Sequence, residues 1–273
     1  MTLDTALRRK VYEVLWSPSV KSILGRVPVL RRLYDGWSRR HPIDAVYGIE
    51  TSGVVSPDEC APGADLVAHM SPYAGSQPSI VRASLALLPD HVDYAFVDLG
   101  CGKGRPLVVA SELPFARLLG VEISPALAAI ARTNADAIAA AHPDRTRIEV
   151  QVGDASAAPM LSRRVVYYVY HPFDRSLVQM LVADIERQLD ADVDHAFFVY
   201  YNPVHGDVLD GSARFTRWSA DVLPYAADEL GYGPDVADSV VIWQTRPAQY
   251  APRPGAARPI IVELAGSRAR VEA

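Results

Sequence analysis

Four positions with chemical potential recur at the ends of apolar runs. Asp98 closes Ala95-Phe96-Val97 and precedes Gly100, Gly102 and Gly104. Glu122 closes a second run, Asp154 follows Gly153 after a third, and His171 follows Tyr170 after a fourth. Glycines take positive φ and let the backbone approach a ligand without a Cβ clash. Pro106 suits the first turn of a helix, where its missing N–H costs nothing. Helix starts offer free N–H groups to whatever lies above the loop. A dinucleotide-binding loop would need G-x-G-x-x-G, but position 105 is Arg105, and the loop reads D-x-G-x-G-x-G. A carboxylate at Asp98 repels a pyrophosphate and suits an ammonium group. Glu122, 24 positions later, suits the two hydroxyls of a ribose. Asp154 can accept from an exocyclic amine such as adenine N6. These groups describe an adenosine with a cationic amino-acid tail and no phosphates.

Such groups need elements to hold them, and from 94 to 203 the chain alternates regularly. The patterning predicts strands over Tyr94–Asp98, Leu118–Glu122, Arg147–Val152, Val165–Tyr170 and Ala196–Tyr201. Between them it predicts helices over Leu107–Leu113, Pro125–Ala141 (capped by Ser124) and Leu177–Leu189. Ser79 is placed to cap a leading helix that ends at Pro89. Near-continuous apolar strands alternating with helices mean a parallel, doubly wound sheet. After Asn202-Pro203 the pattern changes to a short helix near Val204–Leu209. It then gives two strands, Phe215–Tyr225 and Ser239–Thr245, joined through Gly231-Tyr232-Gly233-Pro234 as a hairpin. Residues 3–16 read as a helix, and Leu30, Leu33, Tyr34 and Trp37 as another apolar helical stripe. The stretch 41–79 is rich in Pro, Gly and Ser and reads as irregular connecting chain. The tail from Pro247 reads as loose, with a short attached segment at Ile260–Leu264.

The bulk numbers set limits. A chain of 273 residues, 49% apolar, can form one large domain with an appendage. No run of about 18 apolar residues predicts a membrane span. The N-terminus lacks a signal-peptide pattern. Cys60 and Cys101 are too few for a disulfide framework and lack metal-ligand spacing, so no metal and a cytoplasmic setting are expected. Residues 1–41 carry nine Lys/Arg and three Asp/Glu, which leaves the remainder at −11. An acidic body leads to the expectation of a small-molecule substrate and no nucleic acid. Oligomeric state is not legible.

The sequence resembles a known family. Val97-Asp98-Leu99-Gly100-Cys101-Gly102-Lys103-Gly104, then Gly120-Val121-Glu122-Ile123-Ser124, then Gly153-Asp154-Ala155 are similar to the first three motifs of class I S-adenosylmethionine-dependent methyltransferases. The resemblance covers about residues 73–246. It implies a mostly parallel seven-stranded α/β sheet with an antiparallel C-terminal hairpin. An N-terminal helical cover (1–72) and a Pro-rich tail (247–273) would flank it. It implies S-adenosylmethionine as cofactor, held by Asp98, Gly100, Cys101, Gly102, Gly104, Glu122, Ile123, Asp154, Ala155 and His171. In this reading the glycines lie along the methionine part, Glu122 holds the ribose and Asp154 the adenine. Tyr73 closes over the methionine end.

The fourth motif departs from the pattern. The family's amino-group methylating members often carry Asn or Asp, then Pro-Pro and an aromatic, whereas this chain has Tyr170-His171-Pro172-Phe173. His171 can serve as a general base near neutral pH or position a substrate. Tyr170, Tyr73, Tyr200 and Tyr201 can form an aromatic wall that favours the sulfonium or an ammonium substrate. Tyr200 and Tyr201 point to opposite faces, so at most one lines a given side. The expected activity is methyl transfer by in-line displacement to a small-molecule or protein acceptor. The alternative is attack at the cofactor's Cγ with release of methylthioadenosine.

Overall fold

The computed structural model describes residues 10, 11, 14, 20, 39–60, 71–155, 162–170, 174–191, 193–233, 235–264 and 267–271. Most of the expected helix over 3–16, the stripe at 30–37, and His171-Pro172-Phe173 lie outside the described residues.

The first elements are short: α1 (Pro42–Tyr47), β1 (Val54–Val55), α2 (Pro57–Cys60) and β2 (Tyr73–Ala74). Then come α3 (Pro78–Leu87), β3 (Ala95–Leu99), α4 (Arg105–Ala110), β4 (Arg117–Glu122), α5 (Pro125–Ala141) and β5 (Ile148–Val152). They are followed by β6 (Arg164–Tyr170), α6 (Arg175–Ala191), β7 (His195–Tyr201) and α7 (Asp207–Asp210). The chain closes with β8 (Phe215–Pro224), β9 (Ala237–Thr245), β10 (Ile260–Leu264) and β11 (Ser267–Val271).

Seven strands form one sheet in the order β5-β4-β3-β6-β7-β9-β8. The first five pair in parallel, and β9 runs antiparallel to both β7 and β8. This is the expected mixed sheet with its closing hairpin. β3 and β7 are buried along their whole length, as parallel strands covered on both faces must be. One face carries Phe96, Tyr168, Phe197 and Tyr201 against Ile80, Val81 and Leu85 of α3. The other carries Val97, Tyr167, Phe198 and Tyr200 against Leu181 and Ile185 of α6. Full burial of each such aromatic contributes about 1.5–3 kcal/mol. As the period of two requires, Tyr200 and Tyr201 lie on opposite faces.

Local signals worked where the partner lay close in sequence. Ser124 Oγ accepts the Leu127 N–H at 3.4 Å and starts α5. They failed where a distant group competed. Ser79 does not cap α3, whose N-cap is Gln77 with no side-chain cap bond. The Ser79 hydroxyl donates instead to the buried carboxylate of Glu229, 150 residues away. The helix expected over Leu107–Leu113 starts two residues earlier, so Pro106 falls just inside its first turn. The short helix after Pro203 begins at Asp207.

Two further expectations change. The stretch 41–79 is not merely connecting chain, because β1 and β2 pair antiparallel and their surroundings bond to the glycine loop. The tail is not loose. The Tyr250 ring stacks on Phe197, and β10 pairs with β11 while burying Ile260 and Val262. Apolar side chains between the prolines supply that anchorage.

Candidate active site

The loop after β3 is built as its glycines demand. Gly100, Gly102 and Gly104 all have positive φ, and Gly104 at +83° is the N-cap of α4. A Cβ on Gly102 would fall 2.3 Å from the Tyr73 ring, so only glycine lets that ring lie on the loop. The Tyr73 hydroxyl is turned away and donates to the Thr51 carbonyl at 2.7 Å. Burial raises its pKa, so the phenol stays protonated.

Glu122 reaches the loop from β4. Its two oxygens accept the backbone N–H of Gly102 and of Ser124, each at 2.8 Å. It therefore fixes the loop, and each oxygen retains a lone pair for a further donor. Asp98 is 2% exposed, and its Oδ2 has no hydrogen-bond partner. Burial, and then the neighbouring charge of Glu122, push its pKa well above the ordinary carboxylate value. Two neighbouring carboxyls with no cation beside them among the described residues call for a positively charged ligand. S-adenosylmethionine, with an ammonium and a sulfonium, fits that demand.

The other expected cofactor residues are arranged around this pair. Gly100 and Cys101 both donate their N–H to the Val121 carbonyl, which fastens the loop to the end of β4. The Cys101 thiol is buried, and a Cβ on Gly120 would lie 2.6 Å from its sulfur. Its side chain thus packs beneath the loop, while its N–H goes to Val121 and its carbonyl accepts the Gly104 N–H, so it shapes the loop from within. Ile123 is half-buried, Ala155 buried and Asp154 exposed at the end of β5. The Gly153 N–H donates to the Glu122 carbonyl, so the ends of β4 and β5 stay together.

Sequence reasoning did not find the clamp that ties the N-terminal segment to this loop. Arg105 is buried. Its Nε donates to Thr51 Oγ1 at 2.7 Å, one terminal nitrogen to the Gly75 and Ser76 carbonyls, and the other to the Thr51 carbonyl. Thr51 in turn is held by Asp44. Lys103 Nζ donates to Glu50 Oε1 and the Ser52 carbonyl, both at 2.8 Å. The two loop cations thus hold residues 50–52 over the loop. A basic residue inside a glycine run was the available signal.

A second polar group sits on the same sheet face. Asp98 pairs with Tyr168 across β3 and β6, Tyr170 with Tyr201 across β6 and β7, and Tyr201 with Val240 across β7 and β9. The half-buried Tyr170 ring stacks on Tyr201 at 4.3 Å between centroids. Asp238 Oδ2 accepts the hydroxyls of Tyr201 and Tyr225, both at 2.5 Å, and Oδ1 accepts the Asn202 amide at 3.1 Å. Burial pushes its pKa from 3.8 to about 6, although those donors pull it down. Asn202 has a φ of +49°, which asparagine tolerates, and its Oδ1 accepts the Ser239 N–H. The loop beyond is anchored by Asp210, which takes the Arg217 guanidinium at 2.6 Å and the Trp243 N–H at 2.8 Å.

Residues 96–192, which carry the glycine loop and both carboxylates, match a family model described as a methyltransferase domain. A search of curated proteins found no match.

Similar solved structures include TrmN from Thermus thermophilus (16% identity, TM-score 0.44), over 62% of this chain and 48% of that one. This chain thus spans about half the length of that protein. A putative tRNA (m1A22) methyltransferase from Streptococcus pneumoniae is 11% identical over 63% of this chain and 72% of that one, with a TM-score of 0.44. An RNA methyltransferase from Salinibacter ruber, in complex with S-adenosyl-L-homocysteine, is 22% identical over 66% of this chain and 98% of that one, with a TM-score of 0.40.

The expectation of a small-molecule substrate and no nucleic acid is not upheld, and two of these similar structures are themselves described as RNA methyltransferases. Net charge over a whole chain says little about the surface that meets an acceptor. Among the described residues no helix is long and apolar enough to cross a membrane.

Proposed function

We propose that the chain transfers the sulfonium methyl of S-adenosylmethionine to an acceptor nucleophile by in-line displacement. The observation that carries this reading is the pair of buried carboxylates, Asp98 and Glu122, behind a positive-φ glycine loop, with Asp98 Oδ2 unpartnered. Asp98 receives the ammonium end, Gly100, Gly102 and Gly104 lie along the methionine part, and Glu122 takes the ribose hydroxyls. Asp154 meets the adenine edge, with Ile123 and Ala155 beside the ring. The cofactor supplies an activated methyl on an excellent leaving group. The chain's own part is to align the nucleophile with that methyl and to exclude water. Tyr73 and the segment held by Arg105 cover the loop, and Tyr170 borders the acceptor side. His171, next to Tyr170 in sequence, is assigned to proton removal or acceptor placement. Attack at the cofactor's Cγ finds no support in the methyltransferase match and is not adopted.

Purified protein incubated with S-adenosylmethionine and separate protein, RNA and metabolite pools should release S-adenosylhomocysteine with at least one pool. Methylthioadenosine as the product, or no cofactor binding by calorimetry, would overturn the reading. The His171→Ala variant should lose turnover at least tenfold while cofactor affinity changes less than threefold. Wild-type turnover would remove His171 from the mechanism.

A further inference from the structure

Asp98, Tyr168, Tyr170, Tyr201, Asp238 and Tyr225 lie on one face of the sheet, in a row that runs diagonally across the strands towards their carboxyl ends. Register fixes this, because Asp98 lies opposite Tyr168, Tyr170 opposite Tyr201, and Leu223 opposite Asp238. Side chains two residues apart share a face, which adds Tyr170 to Tyr168, Asp238 to Val240 and Tyr225 to Leu223. Asp98 is level with Ile242 through Tyr168 and Val199, so Asp238, four residues along β9, lies about 14 Å across and about 13 Å along the strands from it, roughly 19 Å in all. That is room for a methyl donor over β3 and an acceptor group over β6 and β7.

The acceptor end of this row is anionic and aromatic. All three donors to Asp238 are neutral, and no ion pair to it is formed among the described residues. The positive charge nearest on the glycine-loop side, Arg105, has its donors committed to Thr51, Ser52, Gly75 and Ser76. Tyr170 offers a half-buried ring face, and among the described residues its hydroxyl has no hydrogen-bond partner. A buried carboxylate solvated only by neutral dipoles attracts a cation, and an aromatic face adds cation–π attraction.

We propose that the acceptor's reacting group is a primary aliphatic amine that binds as an ammonium against Tyr170, with Asp238 as its buried counter-charge. This rests on the methyl-transfer reading above and goes further by naming the chemistry of the acceptor. The bound ammonium first loses one proton to water. Its nitrogen lone pair then forms the new N–CH3 bond as the S–CH3 bond breaks and its electron pair returns to sulfur. The products are a methylammonium and a neutral thioether. Tyr201, Tyr225 and Asn202 act as positioning residues, since they touch Asp238 and not the acceptor.

The test uses full-length protein and S-adenosylmethionine labelled in its methyl group. Cell-extract protein, RNA and metabolite fractions are each offered untreated and after acetylation with sulfo-NHS-acetate, which blocks aliphatic amines. Label that enters an untreated fraction and drops at least tenfold after acetylation supports the proposal. The protein fraction identifies lysine side chains as the source, and the metabolite fraction identifies free amines. Label that survives acetylation, in RNA or elsewhere, overturns the amine proposal and leaves methyl transfer standing. No S-adenosylhomocysteine from any fraction would instead strike the methyl-transfer reading itself. With the labelled acceptor in hand, Asp238→Asn should raise its KM at least tenfold while the cofactor dissociation constant stays within twofold. If that variant does not fold, Tyr170→Leu gives the same comparison, because leucine keeps an apolar side chain against the core while removing the ring face. An unchanged KM in the variant that folds overturns the proposal.

Discussion

Asp98 and Asp238 stand three strands apart on the same face of the sheet, and the chain treats them oppositely. Asp98 is buried with one oxygen left without a partner. Asp238 is buried with both oxygens taken, by two phenols and an amide. A buried group that lacks its hydrogen bonds costs about 1–3 kcal/mol, more when charged. Such a defect persists where a ligand removes it. A buried group with neutral partners and no counter-ion keeps its shape but leaves its charge unbalanced. The first arrangement is a receptor, and the second is a scaffold that also sets a local field.

The largest effect expected from this contrast is in pH dependence. A carboxyl raised from 3.8 to about 6 in the folded chain binds its proton more tightly folded than unfolded. Its contribution to stability is therefore full below about pH 4 and falls as pH rises towards 6. The change corresponds to roughly 3 kcal/mol in all. Unfolding free energies of wild type and Asp238→Asn, measured from pH 4 to 7, should show the gap moving by up to that amount in the variant's favour. A gap independent of pH would show that Asp238 is not an unbalanced charge.

A smaller effect is expected at the clamp. Arg105→Lys keeps the charge but loses the planar fork that reaches Thr51, Gly75 and Ser76 together. It should lower stability by roughly 2 kcal/mol and expose residues 50–52 and 75–76 to hydrogen exchange. Unchanged exchange there would separate the N-terminal segment from the cofactor half. Gly102→Ala comes next. The positive φ costs about 1–2 kcal/mol, and the new Cβ meets the Tyr73 ring. Cofactor affinity should drop at least tenfold, and adding Tyr73→Ala should restore the steric part only. Full restoration would mean that the backbone conformation is not strained, and none that Tyr73 does not touch the loop.

The two regions also differ in how well the sequence showed them. The cofactor half is local. Asp98 and its three glycines lie within seven residues, and Glu122 and Asp154 each end the next strand in turn. Strand alternation and turn chemistry expose such groups directly. The region proposed for the acceptor is assembled from 170, 201, 202, 225 and 238, brought together by a parallel pairing and a hairpin. Only the register reveals that Tyr170, Tyr201 and Asp238 share a face. Asp238 opens an apolar strand, which reads from sequence as an ordinary polar strand end. Arg105 read as a departure from a dinucleotide loop, and its contacts to residues 51, 75 and 76 depend on chain folding back over the loop. Ser79 shows the limit of local rules, since its capping geometry gave way to Glu229.

The central claim is that Asp98 is held buried and unpartnered to receive the cationic end of S-adenosylmethionine, whose positive charge favours the ionised carboxylate. Titration calorimetry of S-adenosylmethionine into wild type and Asp98→Asn at pH 7.5 tests it most directly, alongside thermal melts without ligand. The account predicts affinity at least about 30-fold weaker in the variant, or roughly 2 kcal/mol. It also predicts an unliganded melting temperature equal to or above that of wild type, because a buried carboxyl crowded by the Glu122 charge has been replaced by a group that cannot ionise. Equal affinity in the two proteins, or a variant that binds weakly only because it has unfolded, would contradict it.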